Sequence, residues 1–129
     1  MKRLLLVLAL VPAAAFAQER EYFGAIAYSA SRKAHGWAKD HPSRGAAEKA
    51  ALAHCAKYAG DCKIAVWFRN ACAALAIGPK GDYGSAWGET QAATDVEALK
   101  LCASYSKGCE IQRRVCTAGA PSPGKSPRK

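Results

Sequence analysis

The chain is 129 residues long, with six cysteines and a formal charge of +9. Two of those charges, Lys2 and Arg3, lie in the amino-terminal segment, and Lys125, Arg128 and Lys129 lie in a proline-rich tail. Residues 18–117 then hold 14 basic and 10 acidic side chains, too mild a balance for a dedicated nucleic-acid binder and enough length for one small domain.

In chain order, Lys2 and Arg3, the apolar run Leu4 to Val11, Pro12 and the small-residue site Ala15-Phe16-Ala17 form the three regions of a secretory signal peptide over residues 1–17. The mature chain is expected to start at Gln18 and to contain no transmembrane segment, because no stretch approaches the roughly 20 apolar residues a bilayer span needs. The destination is the periplasm or the cell exterior. All six cysteines, at 55, 62, 72, 102, 109 and 116, fall after this segment, and an even count in an exported chain favours disulfides. Their spacing does not match a zinc knuckle, so no metal or other cofactor is expected.

Tyr22 to Tyr28 reads as a strand, Ser29 to Lys33 as a turn, and Ala34 to Asp40 as a returning strand with Trp37 at its middle. His41-Pro42-Ser43 ends that hairpin, and Ser43 is a hydroxyl cap for an alanine-rich helix over 44–56. A strand follows over Lys63 to Phe68, with Ile64, Val66 and Phe68 alternating against Lys63, Ala65 and Trp67. The pattern then repeats: Ala73 to Ile77, a Gly-Pro-Lys-Gly-Asp turn, Tyr83 to Trp87, the cap Thr90, a helix over 91–103 and a last strand over Glu110 to Cys116. Residues 118–129, with prolines 121, 123 and 127, are expected to form a disordered basic tail.

Sliding the chain against itself by 47 positions aligns Ser43 with Thr90, Ala51-Leu52 with Ala98-Leu99, Cys55 with Cys102, Tyr58 with Tyr105, Cys62 with Cys109 and Ile64 with Ile111. The expected fold class is therefore α+β, with two pseudo-symmetric β-β-α-β repeats (about 22–72 and 73–117) forming a mainly antiparallel sheet packed by two helices and stapled by disulfides. In each helix the cysteine falls on the packing stripe, and Ala47, Ala50 and Ala51 allow close approach to a sheet. Six cysteines permit fifteen pairings. The symmetry of the repeats selects Cys55–Cys62 and Cys102–Cys109 across helix-to-strand loops, leaving Cys72–Cys116. Loop entropy assigns about 2.5 kcal/mol to each local bridge and about 4 kcal/mol to the long one.

Tyr22-Phe23-Gly24-Ala25-Ile26-Ala27-Tyr28-Ser29, Gly36-Trp37, the Ala-Leu-x-x-Cys helix ends and Val66-Trp67-Phe68-Arg69-Asn70-Ala71-Cys72 resemble the bacterial family of the domain of unknown function 4189. The resemblance covers about residues 22–117. It implies a small exported protein and brings no activity or catalytic residues with it.

No catalytic signature stands out. His35, His41 and His54 lack partners at metal-ligand spacing, and Asp40, His41 and Ser43 are read as a turn residue, a solvated imidazole and a helix cap. Glu110, Asp61, Asp82 and Glu89 are read as solvated carboxylates rather than an acid/base pair. The candidate binding residues are Trp67, Arg69 and Asn70 at a strand end, with Trp37, because aromatic residues beside arginine are common interface anchors. The leading expectation is a non-enzymatic protein-binding role, such as an inhibitor or immunity protein against a toxin or wall hydrolase. The alternative is a secreted effector or adhesive module that holds an anionic envelope polymer or lipid surface through its basic half, residues 20–72, which carry nine basic and four acidic groups. An envelope hydrolase ranks last.

Overall fold

The computed structural model describes residues 20–120; the expected signal peptide and residues 121–129 lie outside the described residues. The elements run β1 (Phe23–Ser29), β2 (Ala34–His41), α1 (Arg44–Cys55), β3 (Lys63–Arg69), β4 (Cys72–Ile77), β5 (Tyr83–Gly88), α2 (Gln91–Ala103) and β6 (Glu110–Cys116). Two β-β-α-β units result. Each makes its own antiparallel three-stranded sheet, ordered β2-β1-β3 in the first and β5-β4-β6 in the second.

The central strands explain how the layers stack. β1 and β4 are almost entirely buried, and their side chains alternate in size as well as direction. Ile26 and Tyr28 join Leu75, Ile77, Phe68 and Val115 in one shared cluster between the two sheets. Ala25 and Ala27 point the other way, onto Ala47, Ala51 and Cys55 of α1. Ala74 and Ala76 do the same against Ala98 and Cys102 of α2. The architecture is thus helix, sheet, sheet, helix, with bulky side chains in the middle and alanines under each helix. Alanine permits the close helix–sheet approach; burying large side chains in the middle supplies most of the hydrophobic driving force.

Glycine completes that approach. A Cβ on Gly36 would strike the Cys55 backbone nitrogen and the Ala51 carbonyl, and one on Gly84 would strike the Ala98 carbonyl and the Cys102 nitrogen. Both helices start as their hydroxyl residues dictate: Ser43 Oγ accepts from Ala46 N at 3.1 Å, and Thr90 Oγ1 from Ala93 N at 3.3 Å.

The strict alternation expected in the third strand is interrupted. Val66 pairs with Ile26 but Ile64 pairs with Ala27, so Ala65 is an extra residue. Gln112 is the extra residue at the matching place in β6, where Arg113 pairs with Leu75 and Ile111 with Ala76. Each bulge flips the phase of its strand. Val66 and Phe68 therefore belong to the middle layer while Ile64 turns toward α1.

The disulfides are Cys55–Cys62, Cys102–Cys109 and Cys72–Cys116, the pairing that symmetry selects. The first two join each helix end to the following strand, and the third links directly opposed residues of β4 and β6. Three such bonds belong to a protein of an oxidising, exported compartment. Among the described residues no helix is long and apolar enough to cross a membrane.

Candidate functional site

The two repeats meet at Asn70, and the side chains near that junction form the most distinctive surface. Asn70 adopts φ 47, a left-handed conformation that asparagine tolerates better than most residues. Its N–H donates to the Tyr22 carbonyl at 3.0 Å and its Oδ1 accepts from Tyr22 N at 2.9 Å. The side chain is committed to the turn. It sets the angle at which β3 passes into β4 and so fixes where Trp67 and Arg69 stand.

Trp67 is 38% exposed and Trp87 is 63% exposed. Together with Arg69 they wall a groove of about 200 Å³ whose floor is Phe68, 1% exposed. β3 and β5 are edge strands of different sheets, joined nearby where Ser85 Oγ donates to the Ala65 carbonyl at 2.8 Å. Each repeat thus contributes one tryptophan. Trp67 is held from behind: the Phe23 ring stacks 6.4 Å away, and the Arg44 guanidinium lies 4.4 Å from the Trp67 ring centroid. Arg44 pairs with Glu48 at 2.7 Å, and Arg69 with Glu21 at 3.2 Å.

Trp37 stands elsewhere. It lies on β2, packs against the middle layer, and meets Arg113 of β6 with 5.6 Å between guanidinium and ring. The structure therefore brings Trp67 and Arg69 together, uses Asn70 as their hinge, and separates Trp37 from all three. Trp87 is the groove residue that sequence reasoning left out of the candidate set. Only the stacking of two separate sheets places it opposite Trp67.

The polar residues weighed for catalysis are engaged singly. Asp40 Oδ1 accepts from Ala118 N at 2.8 Å, while Ser43 Oγ caps α1. The Asp61 carboxylate accepts hydrogen bonds from Ser29 and Ser31, which hold it below the usual carboxylate range. His54 Nδ1 accepts from Trp37 N at 3.0 Å, covering an otherwise unpaired donor on the edge strand β2. His35 is half-buried, and burial first, then the Arg113 charge and His54, push its imidazole below its ordinary value. Among the described residues no three His, Cys, Asp or Glu side chains gather as a metal-binding group.

The two repeats thus form a duplicated α/β/β/α domain with an aromatic groove at their junction, stapled by three disulfides that suit an oxidising, exported location. The chain belongs to the family of the domain of unknown function DUF4189, whose pattern matches residues 23–116. Among solved structures it is similar to the NMR structure of Rv1813c from Mycobacterium tuberculosis, with 26% identity, 90% of this chain and 91% of that chain covered, and a TM-score of 0.54. No protein of curated function matches it.

Proposed function

We propose that this protein is a non-enzymatic binding protein of the cell envelope or exterior, which takes a protein partner at the Trp67–Trp87 groove. The observation that carries this reading is the pair of exposed tryptophans, one from each repeat, flanking a groove with a buried Phe68 floor beside Arg69. Tryptophan and arginine are the side chains that most often dominate binding energy. The walls are strand residues of a stapled scaffold, so little conformational freedom is lost when a partner arrives. An inhibitor or immunity role against a toxin or wall hydrolase suits such a surface.

The test compares the mature protein with its Trp67→Ala and Trp87→Ala variants as baits for envelope extracts. The expected outcome is one protein retained by the wild type and by a variant truncated after Thr117, and lost by about tenfold or more from each tryptophan variant. A different result, retention that survives both substitutions but collapses as salt rises, would replace this reading with attachment of the basic first repeat to an anionic polymer or lipid surface.

A further inference from the structure

The first repeat carries a second concavity at the opposite end of its sheet, and its lining is cationic. A groove of about 280 Å³ is bordered by Lys33 of the β1–β2 turn, His35 of β2, His54 and Tyr58 at the end of α1, and Arg113 of β6. No carboxylate lines it. Among the described residues Arg113 forms no ion pair, although Arg44, Arg69, Lys100 and Arg114 all do. Among the described residues, His35 Nδ1 and Arg113 Nε are also the buried side-chain nitrogens that lack a hydrogen-bond partner. The carboxylate at this end of the sheet, Asp61, is turned onto Ser29 and Ser31.

The duplication supplies an internal comparison. In the hairpins the offset between the repeats is 48 rather than 47, since Gly84 meets α2 as Gly36 meets α1 and Gly81 shares the positive φ of Lys33. Gly81 and Tyr83 thus take the places of Lys33 and His35, and with Leu101 and Tyr105, the counterparts of His54 and Tyr58, they line a groove of about 390 Å³. The same scaffold is closed there by neutral side chains, with Asp82 beside them. Cations at this place are therefore not a requirement of the fold. A partly buried, unpaired guanidinium costs free energy that a bound anion would offset.

We propose that the Lys33–His35–His54–Tyr58–Arg113 groove binds a phosphoryl group, either of a soluble phosphorylated compound or of a lipid headgroup. Donors reach the groove from two strands of different sheets and from the end of α1, while Lys33 borders it with its stem and donates its ammonium to the Pro79 carbonyl at 2.6 Å. A tetrahedral oxyanion accepts from several directions at once, whereas a planar carboxylate uses fewer of them. A divalent cation held by the two imidazoles is disfavoured by the adjacent Arg113 charge. His54 Nδ1 is taken up by the Trp37 backbone, with the N–H at 3.0 Å and the carbonyl at 3.2 Å, which leaves Nε2 as the ring nitrogen for a ligand.

The groups that border the groove with His35 are His54 from α1, Tyr58 from the turn after it, Lys33 from the β1–β2 turn and Arg113 from β6. Tyr28, its neighbour on β1, directs its hydroxyl to the Gly81 carbonyl instead. With no acid among them, an incoming phosphoryl group would favour protonation of His35, so the His35 titration midpoint should be higher in the bound form than in the free protein.

The experiment follows the imidazole NMR signals of His35 and His54 in the full mature chain while inorganic phosphate is added at constant ionic strength, with acetate and chloride as comparisons. Saturable shifts with phosphate, weaker or absent with the other anions, are expected, together with a higher His35 titration midpoint in the bound form. Arg113→Lys keeps the charge and His35→Gln keeps the bulk, and either should weaken phosphate by about tenfold. In a second arm, vesicles of phosphatidylglycerol in phosphatidylcholine replace phosphate. Shifts with phosphate and none with vesicles assign a soluble ligand; perturbation by these vesicles, with or without a phosphate response and lost in Arg113→Lys, assigns a lipid headgroup. Linear shifts shared by all anions, with no vesicle effect, would overturn the proposal. Since the wild-type titration is itself decisive, misfolding of a variant does not protect the idea.

Discussion

At the residue scale, His35 shows how position converts an ordinary side chain into a conditional one. Burial and the nearby Arg113 and His54 charges favour its neutral form in the fold, while the unfolded chain leaves it near its ordinary value of 6.5. The sign follows directly. Between the depressed folded value and 6.5 the unfolded state binds more protons, so this contribution to stability is complete above about 6.5 and declines as pH falls through the folded value. Thermal unfolding from pH 8 to pH 5 should show a loss of stability that is reduced in His35→Gln. A pH dependence unchanged by the substitution would mean that another group is responsible. Asp61 acts at lower pH. Its serine hydrogen bonds stabilise the fold above the ordinary carboxylate range, and that contribution fades as pH falls through the lowered folded value.

At the scale of elements, the helix–sheet contact depends on absent side chains. Gly36→Ala and Gly84→Ala each place a methyl group against helix backbone, which cannot rotate aside as a side chain would. Each substitution should cost about 2–3 kcal/mol in denaturant unfolding. Gly45→Ala, on α1 with open space around it, should cause no loss and serves as the control. Much of this level was legible beforehand: element order, both hydroxyl caps, the cysteine-bearing helix stripes and the disulfide pairing all followed from aligning the chain with itself. The bulges were not legible. Ala65 and Gln112 become extra residues only because the neighbouring strands hold their own register, and that information is absent from either strand's local pattern.

At the scale of the whole molecule, the two repeats were visible but the way they face each other was not. β1 and β4 are buried on both faces, so their sequences read as continuous apolar runs without saying which neighbour covers which face. The size alternation, Ala25 and Ala27 against Ile26 and Tyr28, was the available clue. For the same reason Trp67 and Arg69 could be singled out from their local context while their opposite wall, Trp87, could not. Cross-linking strength also belongs to this scale. Replacing Cys72 and Cys116 together by serine should lower stability by about 4 kcal/mol, against about 2.5 kcal/mol for the Cys55–Cys62 pair, because the longer loop removes more unfolded-state freedom. Chemical denaturation of the two double variants checks the order, and the reverse order would show that native-state effects outweigh loop length.

The placement of the bridges bears on how the halves cohere. The structure divides the repeats at Asn70, between β3 and β4, and so moves Cys72, placed by the sequence at the end of the first repeat, onto the first strand of the second. Cys55–Cys62 then lies within the first repeat and the other two bridges within the second. Beyond the single strand of backbone there, the union is non-covalent: the bulky middle layer, the Tyr28 hydroxyl on the Gly81 carbonyl, and Ser85 on Ala65. A peptide-bond cut beside Asn70 would therefore yield two separately stapled fragments that stay together in oxidising buffer and part only when the shared core is denatured. Neither fragment has another surface on which to bury its large side chains, so each half is the other's missing layer.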